Sequence, residues 1–123
     1  MRALLSTIGS RGDVQPLVAL ATELVAAGAE VRLCVPPDFR AWVAPLGLPV
    51  VTIGPELRTL ASGSRSSAAA PPLTPERRRA LAEASVATQF ETVAAAAADC
   101  DVIVAATALQ IAARSVAEKR GIP

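Results

Sequence analysis

The chain has 123 residues, a length that fits one domain able to bury its own core. Its residues are 52% hydrophobic but 2% aromatic, which suits tightly packed α/β layers better than a ligand cage built of rings. A net charge of +1 gives no electrostatic reason to expect nucleic acid or an acidic membrane, and a histidine count of 0 removes the commonest neutral-pH base and metal ligand, so no metal site is expected.

Residues 2–8 form a short apolar run that ends in a loop bounded by Gly9 and Gly12, the pattern of a buried parallel strand. From Pro16 to Ala27 the apolar residues Leu17, Leu20, Ala21, Leu24 and Val25 recur at helical spacing, and Gly28 supplies a stop. Glu30–Val35 reads as a second strand, closed by Pro36-Pro37. Within it Cys34 reads as a buried free thiol, and neither it nor the distant Cys100 has CxxC spacing. Asp38 is placed to cap a short helix through Phe39, Trp42 and Val43, which Pro45 and Gly47 end. Pro49–Ile53 reads as a third strand. The stretch 54–75 then breaks the rhythm, and Ser62–Pro72 reads as a mobile surface loop inside one domain. Thr74 is predicted to cap a long helix, with Pro75 at its first position and Glu76 in its first turn, reaching Ala98. Asp101–Ala106 is a fourth strand, Leu109–Arg120 another helix, and Gly121-Ile122-Pro123 the opening of a fifth strand. This alternation predicts a right-handed, Rossmann-like parallel α/β sheet. A sheet that stops at the opening of a strand predicts a truncated domain. No signal sequence and no run of transmembrane length is visible, so a cytoplasmic chain is expected.

In such a sheet, ligands bind beyond the C-terminal ends of the strands. The loop Gly9-Ser10-Arg11-Gly12-Asp13-Val14-Gln15-Pro16 occupies that place after the first strand. Gly9 and Gly12 permit tight turns and close approach of a ligand. The spacing is not GxGxxG, and no P-loop Gly-Lys-Ser/Thr follows, so a dinucleotide or Walker site fits poorly. Asp13 has two readings. As a helix N-cap it would put Pro16 at the third helical position, where a missing N–H removes one of the cap's usual donors. If Pro16 opens the helix instead, Gln15 takes the cap and Asp13 is a loop carboxylate facing the cleft, able to accept the proton of an attacking hydroxyl. Arg11 can pair with a phosphate or stand solvated, and the sequence leaves both open. The Arg11-Gly12-Asp13 triplet also matches the integrin-binding pattern, a poor reading for a cytoplasmic chain without disulfides.

The run Leu4–Ala21, with the Gly-Ser-Arg-Gly-Asp-Val-Gln-Pro loop at residues 9–16, closely resembles the amino terminus of glycopeptide-antibiotic glycosyltransferases and of sterol glucosyltransferases. The segments Gly28–Asp38, Ala87–Phe90 and Arg114–Pro123 resemble the antibiotic group. The likeness keeps its order along the chain and is weakest at 55–75. It implies a GT-B enzyme, in which two Rossmann-like lobes face a cleft. Residues 1–123 would be an incomplete N-terminal, acceptor-binding lobe, and the C-terminal nucleotide-sugar lobe is absent from this chain. The resemblance further implies transfer of a sugar, with inversion, from a nucleotide-sugar co-substrate to a hydroxyl of a small-molecule acceptor, an aglycone or a sterol-like compound, without cofactor or metal. In related plant enzymes a His-x-x-Pro pattern supplies the base, and Asp13-Val14-Gln15-Pro16 is similar to it in position. By that resemblance Asp13 is the general base, Ser10 lines the site near the donor phosphates or the acceptor, and the 55–75 loop covers the acceptor; Arg11 and Gly12, in the same loop, are the further candidate substrate-binding residues. One lobe alone is then expected to be inactive.

Two other functional classes are compatible with the elements. One is a non-catalytic α/β module that holds a hydrophobic small molecule or a protein partner. The other is a generic nucleotide-binding regulator, which the missing GxGxxG disfavours. A response-regulator receiver shares the element order, but its acidic pair does not follow the first strand here.

Overall fold

The computed structural model describes residues 1–56 and 74–123. Strand β1 (Arg2–Thr7) leads through α1 (Arg11–Ala26) to β2 (Glu30–Val35), then through α2 (Arg40–Val43) to β3 (Val50–Thr52). After the undescribed stretch come α3 (Pro75–Ala96), β4 (Val102–Ala106) and α4 (Ala113–Arg120). Two 3-10 turns, Pro37–Phe39 and Ala44–Leu46, flank α2.

The four strands form one parallel sheet in the order β3-β2-β1-β4. Leu5 sits opposite Leu33 on one side and Val104 on the other, and Leu33 opposite Val50. Side chains alternate across a strand, so each strand feeds two cores. Ala3, Leu5, Val31, Leu33 and Val35 pack against Val14, Leu17, Val18 and Ala21 of α1 and against Val43. Leu4 and Cys34 enter the opposite core with Val93 and Ala96 of α3 and Val116 of α4. The result is a three-layer α/β/α arrangement, as the strand–helix rhythm predicts. Each fully buried leucine of β1 contributes about 1.5–3 kcal/mol by leaving water. Burial of Cys34, predicted as a free thiol, pushes that thiol up to about 12.

Helix α1 begins earlier than expected. Pro16 does not open it but lies inside it, and the cap falls on Ser10 rather than on Asp13 or Gln15. Ser10 has an extended backbone (φ −73°, ψ 179°), the usual conformation of an N-cap residue. Pro16 then supplies no N–H to the Gly12 carbonyl four residues back, a loss at the exposed start of the helix where water replaces it.

The other boundaries shift for local reasons. Asp38 lies inside the first 3-10 turn, because Pro37 takes that turn's first position and Pro36 its cap. Helix α3 starts where predicted, with Thr74 Oγ1 accepting the N–H of Arg77 at 3.2 Å. It stops at Ala96, within two residues of the expected end, and side chains take up carbonyls in and just beyond its last turn: Arg120 reaches Ala94 O at 2.7 Å and Ala98 O at 3.1 Å, and Arg32 reaches Ala96 O. Arg32 also pairs with Asp99 at 3.0 Å and holds that carboxyl below the usual carboxylate range. Helix α4 starts at Ala113 instead of Leu109, because residues 107–112 are spent on a loop described below. The Ile103 N–H donates to Pro123 O at 2.9 Å, which brings residue 123 alongside the outer edge of β4. The surface loop predicted at Ser62–Pro72 lies outside the described residues.

Candidate functional site

From β1 the chain runs one way, to β2 and β3, and then crosses back to place β4 on the other side of β1. The point where the order reverses, between the C-terminal ends of β1 and β4, is where an open parallel sheet leaves a crevice for ligands. Three pieces of chain meet there: residues 8–10 after β1, the first turn of α1, and the loop 107–112 after β4.

Asp13 is the third residue of α1, neither the helix cap nor a loop residue before it. Its Oδ2 accepts the backbone N–H of Ser10 at 2.7 Å and the Ser10 hydroxyl at 3.0 Å. Among the described residues Oδ1 has no hydrogen-bond partner. An acidic residue here also suits the partial positive charge at the start of the helix. Gly9 is what makes room. A Cβ on Gly9 would lie 2.3 Å from Asp13 Oδ2, 2.6 Å from Cγ and 2.9 Å from Cβ, so only glycine lets this carboxylate lie against the end of β1. At Gly12, by contrast, the nearest atom a Cβ would meet is Ser10 Oγ at 3.6 Å. Nothing in the described chain fills that space.

Arg11 does not project alone. Its guanidinium lies 5.1 Å from the ring centre of Trp42, which itself meets Phe39 edge-on at 6.5 Å. A cation at the first position of a helix opposes the helix dipole, and the contact with the ring face offsets that cost. Ser10, Arg11 and Gly12 are exposed and sit together at the start of α1 beside Asp13.

On the other side of β1's end lies a set of polar residues that the sequence alone does not single out. Thr107 carries a backbone φ of +82°, and its hydroxyl donates to Ile8 O at 2.9 Å. The Gln110 amide fits with its oxygen turned to β1, accepting from the N–H groups of Thr7 and Ile8 at 3.2 Å each, and with its nitrogen 3.2 Å from Ser6 Oγ. The buried Gln89 of α3 accepts the Ile111 N–H at 3.0 Å and holds the far side of the loop. Side chains thus continue the β1–β4 ladder past its last pair, Thr7–Ala106. The signal in the sequence was the pair Ser6 and Thr7, hydroxyl residues at the end of an apolar strand. Thr107 gave none, since a β-branched residue argues against positive φ. Thr7 Oγ1 is buried and, among the described residues, has no partner. Among the described residues no three His, Cys, Asp or Glu side chains gather as a metal-binding group, and no helix is long and apolar enough to cross a membrane.

A parallel Rossmann-like sheet with a carboxylate seated at its switch point, and a loop whose Thr107 and Gln110 bind the end of β1, define the class: a doubly wound α/β lobe. The particular family follows from comparison. Residues 3–123 match the Glycosyltransferase family 28 N-terminal domain, and the chain belongs to that family. It is 49% identical to Glycosyltransferase GtfE and 46% identical to vancomycin aglycone glucosyltransferase, both of Amycolatopsis orientalis, with the whole chain covered in each case. The chain spans 29% of the length of each of these relatives. Among solved structures, the calicheamicin glycosyltransferase CalG4 superposes with a TM-score of 0.71 at 21% identity, over 99% of this chain and 30% of that one. The glycosyltransferase VinC in complex with dTDP superposes with a TM-score of 0.67 at 26% identity, over all of this chain and 33% of that one.

Proposed function

We propose that this chain is the acceptor-binding lobe of a cytoplasmic, inverting glycosyltransferase that glycosylates a secondary-metabolite aglycone, with Asp13 as its general base. In this reading a second lobe holds a nucleotide-sugar, and no metal takes part. The acceptor hydroxyl oxygen attacks the anomeric carbon as the bond from that carbon to the diphosphate breaks. The nucleoside diphosphate leaves with the electron pair, the hydroxyl proton passes to Asp13, and the configuration at the carbon inverts. The proton moves late, as the hydroxyl acidifies with departure of the diphosphate. Ser10 and Gly12 bind substrate next to the base, Gly12 through the space its missing side chain leaves. Arg11 lines the same rim from its place over Trp42.

The observation that carries this reading is the seating of Asp13. Its Oδ2 is tied down by Ser10, and its Oδ1 meets no donor among the described residues, at the crevice where the fold places ligands. The relatives named as glycosyltransferases support the same class of chemistry. The test is Asp13→Asn in the full-length polypeptide, assayed for transfer by mass spectrometry with nucleotide-sugars and aglycone acceptors. The amide oxygen can still accept both Ser10 bonds, so the fold survives while the base is gone. Turnover should fall about 10²–10⁴-fold, the usual contribution of a general base. An Asn variant with wild-type turnover and normal circular dichroism would end the assignment.

A further inference from the structure

Thr107 stands in a backbone conformation that its side chain makes costly. At φ +82° a β-branched residue is a marked outlier, whereas glycine would adopt the same backbone freely. Residues held this way persist only where the surroundings enforce them, and they cluster at functional sites. The enforcing contact here is the hydroxyl of Thr107 on Ile8 O at 2.9 Å. Ile8 directly precedes Gly9, and Gly9 is the residue against which the Asp13 carboxylate lies. Ser10, next along, supplies both bonds to Asp13 Oδ2. Residues 8–10 are therefore held from two sides, by Thr107 and Gln110 bonded to Ile8 and by Asp13 of α1 bonded to Ser10.

Resting on the assignment of Asp13 as base, we propose that Thr107 is a positioning residue for catalysis: its strained backbone aims a hydroxyl at Ile8 O and thereby fixes the seat of the Asp13 carboxylate. Thr107 touches no reacting atom in this scheme. It acts through Ile8 and Gly9.

The test uses three variants of the full-length polypeptide, with steady-state kinetics for both substrates and thermal unfolding. Thr107→Val keeps the shape and loses the hydroxyl. Its kcat should fall about 10- to 100-fold, the scale of misplacing a catalytic group by about 1 Å, while KM for donor and acceptor stays within about twofold. Thr107→Ser keeps the hydroxyl and should recover kcat to within about threefold of wild type. Thr107→Gly removes both strain and hydroxyl. It should therefore unfold at an equal or higher temperature than wild type and still lose kcat, an outcome that a purely structural role would not give. The proposal is overturned by wild-type kcat in either the Val or the Gly variant, or by a kcat loss that Ser does not rescue. A rise in acceptor KM with unchanged kcat overturns it as well, because Thr107 would then be a substrate contact. Asp13→Asn run alongside separates the two claims. If that variant is active, the base assignment fails and this proposal with it; if it is inactive while Thr107→Val is normal, only the role of Thr107 fails.

Discussion

Replacing Gly9 by alanine and Gly12 by alanine should give opposite effects on stability, although both glycines lie in one short loop. At Gly9 the new methyl would sit 2.3 Å from Asp13 Oδ2 and 2.6 Å from Cγ, well inside contact distance. The carboxylate has to swing away, and its bonds to Ser10 N and Oγ, 2.7 and 3.0 Å, are lost or stretched. A hydrogen bond to a charged group is worth about 1.5–3 kcal/mol when buried. Here the pair is near the surface, so a cap-sized loss of about 1 kcal/mol is the better estimate. Gly12 faces no such clash: its nearest neighbour is 3.6 Å away, it lies in the first turn of α1, and alanine there should stabilise by up to about 1 kcal/mol. Urea unfolding of both variants measures these differences directly. In the transfer assay, Gly9→Ala should lose about 100-fold in turnover through displacement of the base. Gly12→Ala should instead raise substrate KM, because its methyl occupies space proposed for substrate. Wild-type stability and turnover in Gly9→Ala would refute the idea that Gly9 seats Asp13.

Other consequences are simpler to check. Leu5→Ala empties the centre of β1, where the side chain is fully buried, and should cost about 2–5 kcal/mol in chemical denaturation. A double-mutant cycle between Arg11→Met and Trp42→Leu should show about 0.5–1 kcal/mol of coupling, the value of an exposed cation–ring contact, and no coupling would mean that the two merely lie close. Burial raises the Cys34 thiol from the ordinary 9.0 to about 12, so between those pH values the unfolded chain loses a proton that the folded chain keeps. Stability should therefore fall above pH 9, by about 1.4 kcal/mol per pH unit at most, and Cys34→Val should flatten that slope. The partly buried Cys100 is raised in the same direction and leaves a smaller residual slope.

Much of the fold was legible because it rests on periodicity. The apolar runs at residues 2–8, 30–35 and 101–106 form strands β1, β2 and β4, and of the expected helical stripe Leu17 and Ala21 are buried with Leu24 packed beside them, whereas Leu20 and Val25 are exposed and Val14 and Val18 complete the buried face. Boundaries failed where two local signals competed. Pro16 reads as a helix opener, yet Ser10 as cap with Asp13 three residues on holds the start of α1 five residues earlier. Proline is tolerated there because the carbonyl it leaves without a donor is near the solvated end of the helix. The end of α3 lies within two residues of the expected position near Ala98. Its stop depends on Arg32 and Arg120, residues distant in sequence, whose guanidinium groups reach its last carbonyls.

The site divides in the same way. Its half on α1 is contiguous in sequence, so Ser10, Arg11, Gly12 and Asp13 could be named as a group, and the structure does bring them together at the start of one helix. What local reading could not supply is the purpose of each glycine: the need for Gly9 follows from where Asp13 packs, and the freedom at Gly12 from what does not pack there. The half on the loop after β4 is assembled from residues about 100 positions away in the chain, Thr107 against Ile8 and Gln110 against Ser6. Its chief member breaks the local rule, since threonine is among the residues least suited to positive φ. Local consistency is what makes a sequence readable, and functional sites are where it is given up. The residue hardest to anticipate from the sequence is thus the one whose contact with β1 most directly constrains the proposed base.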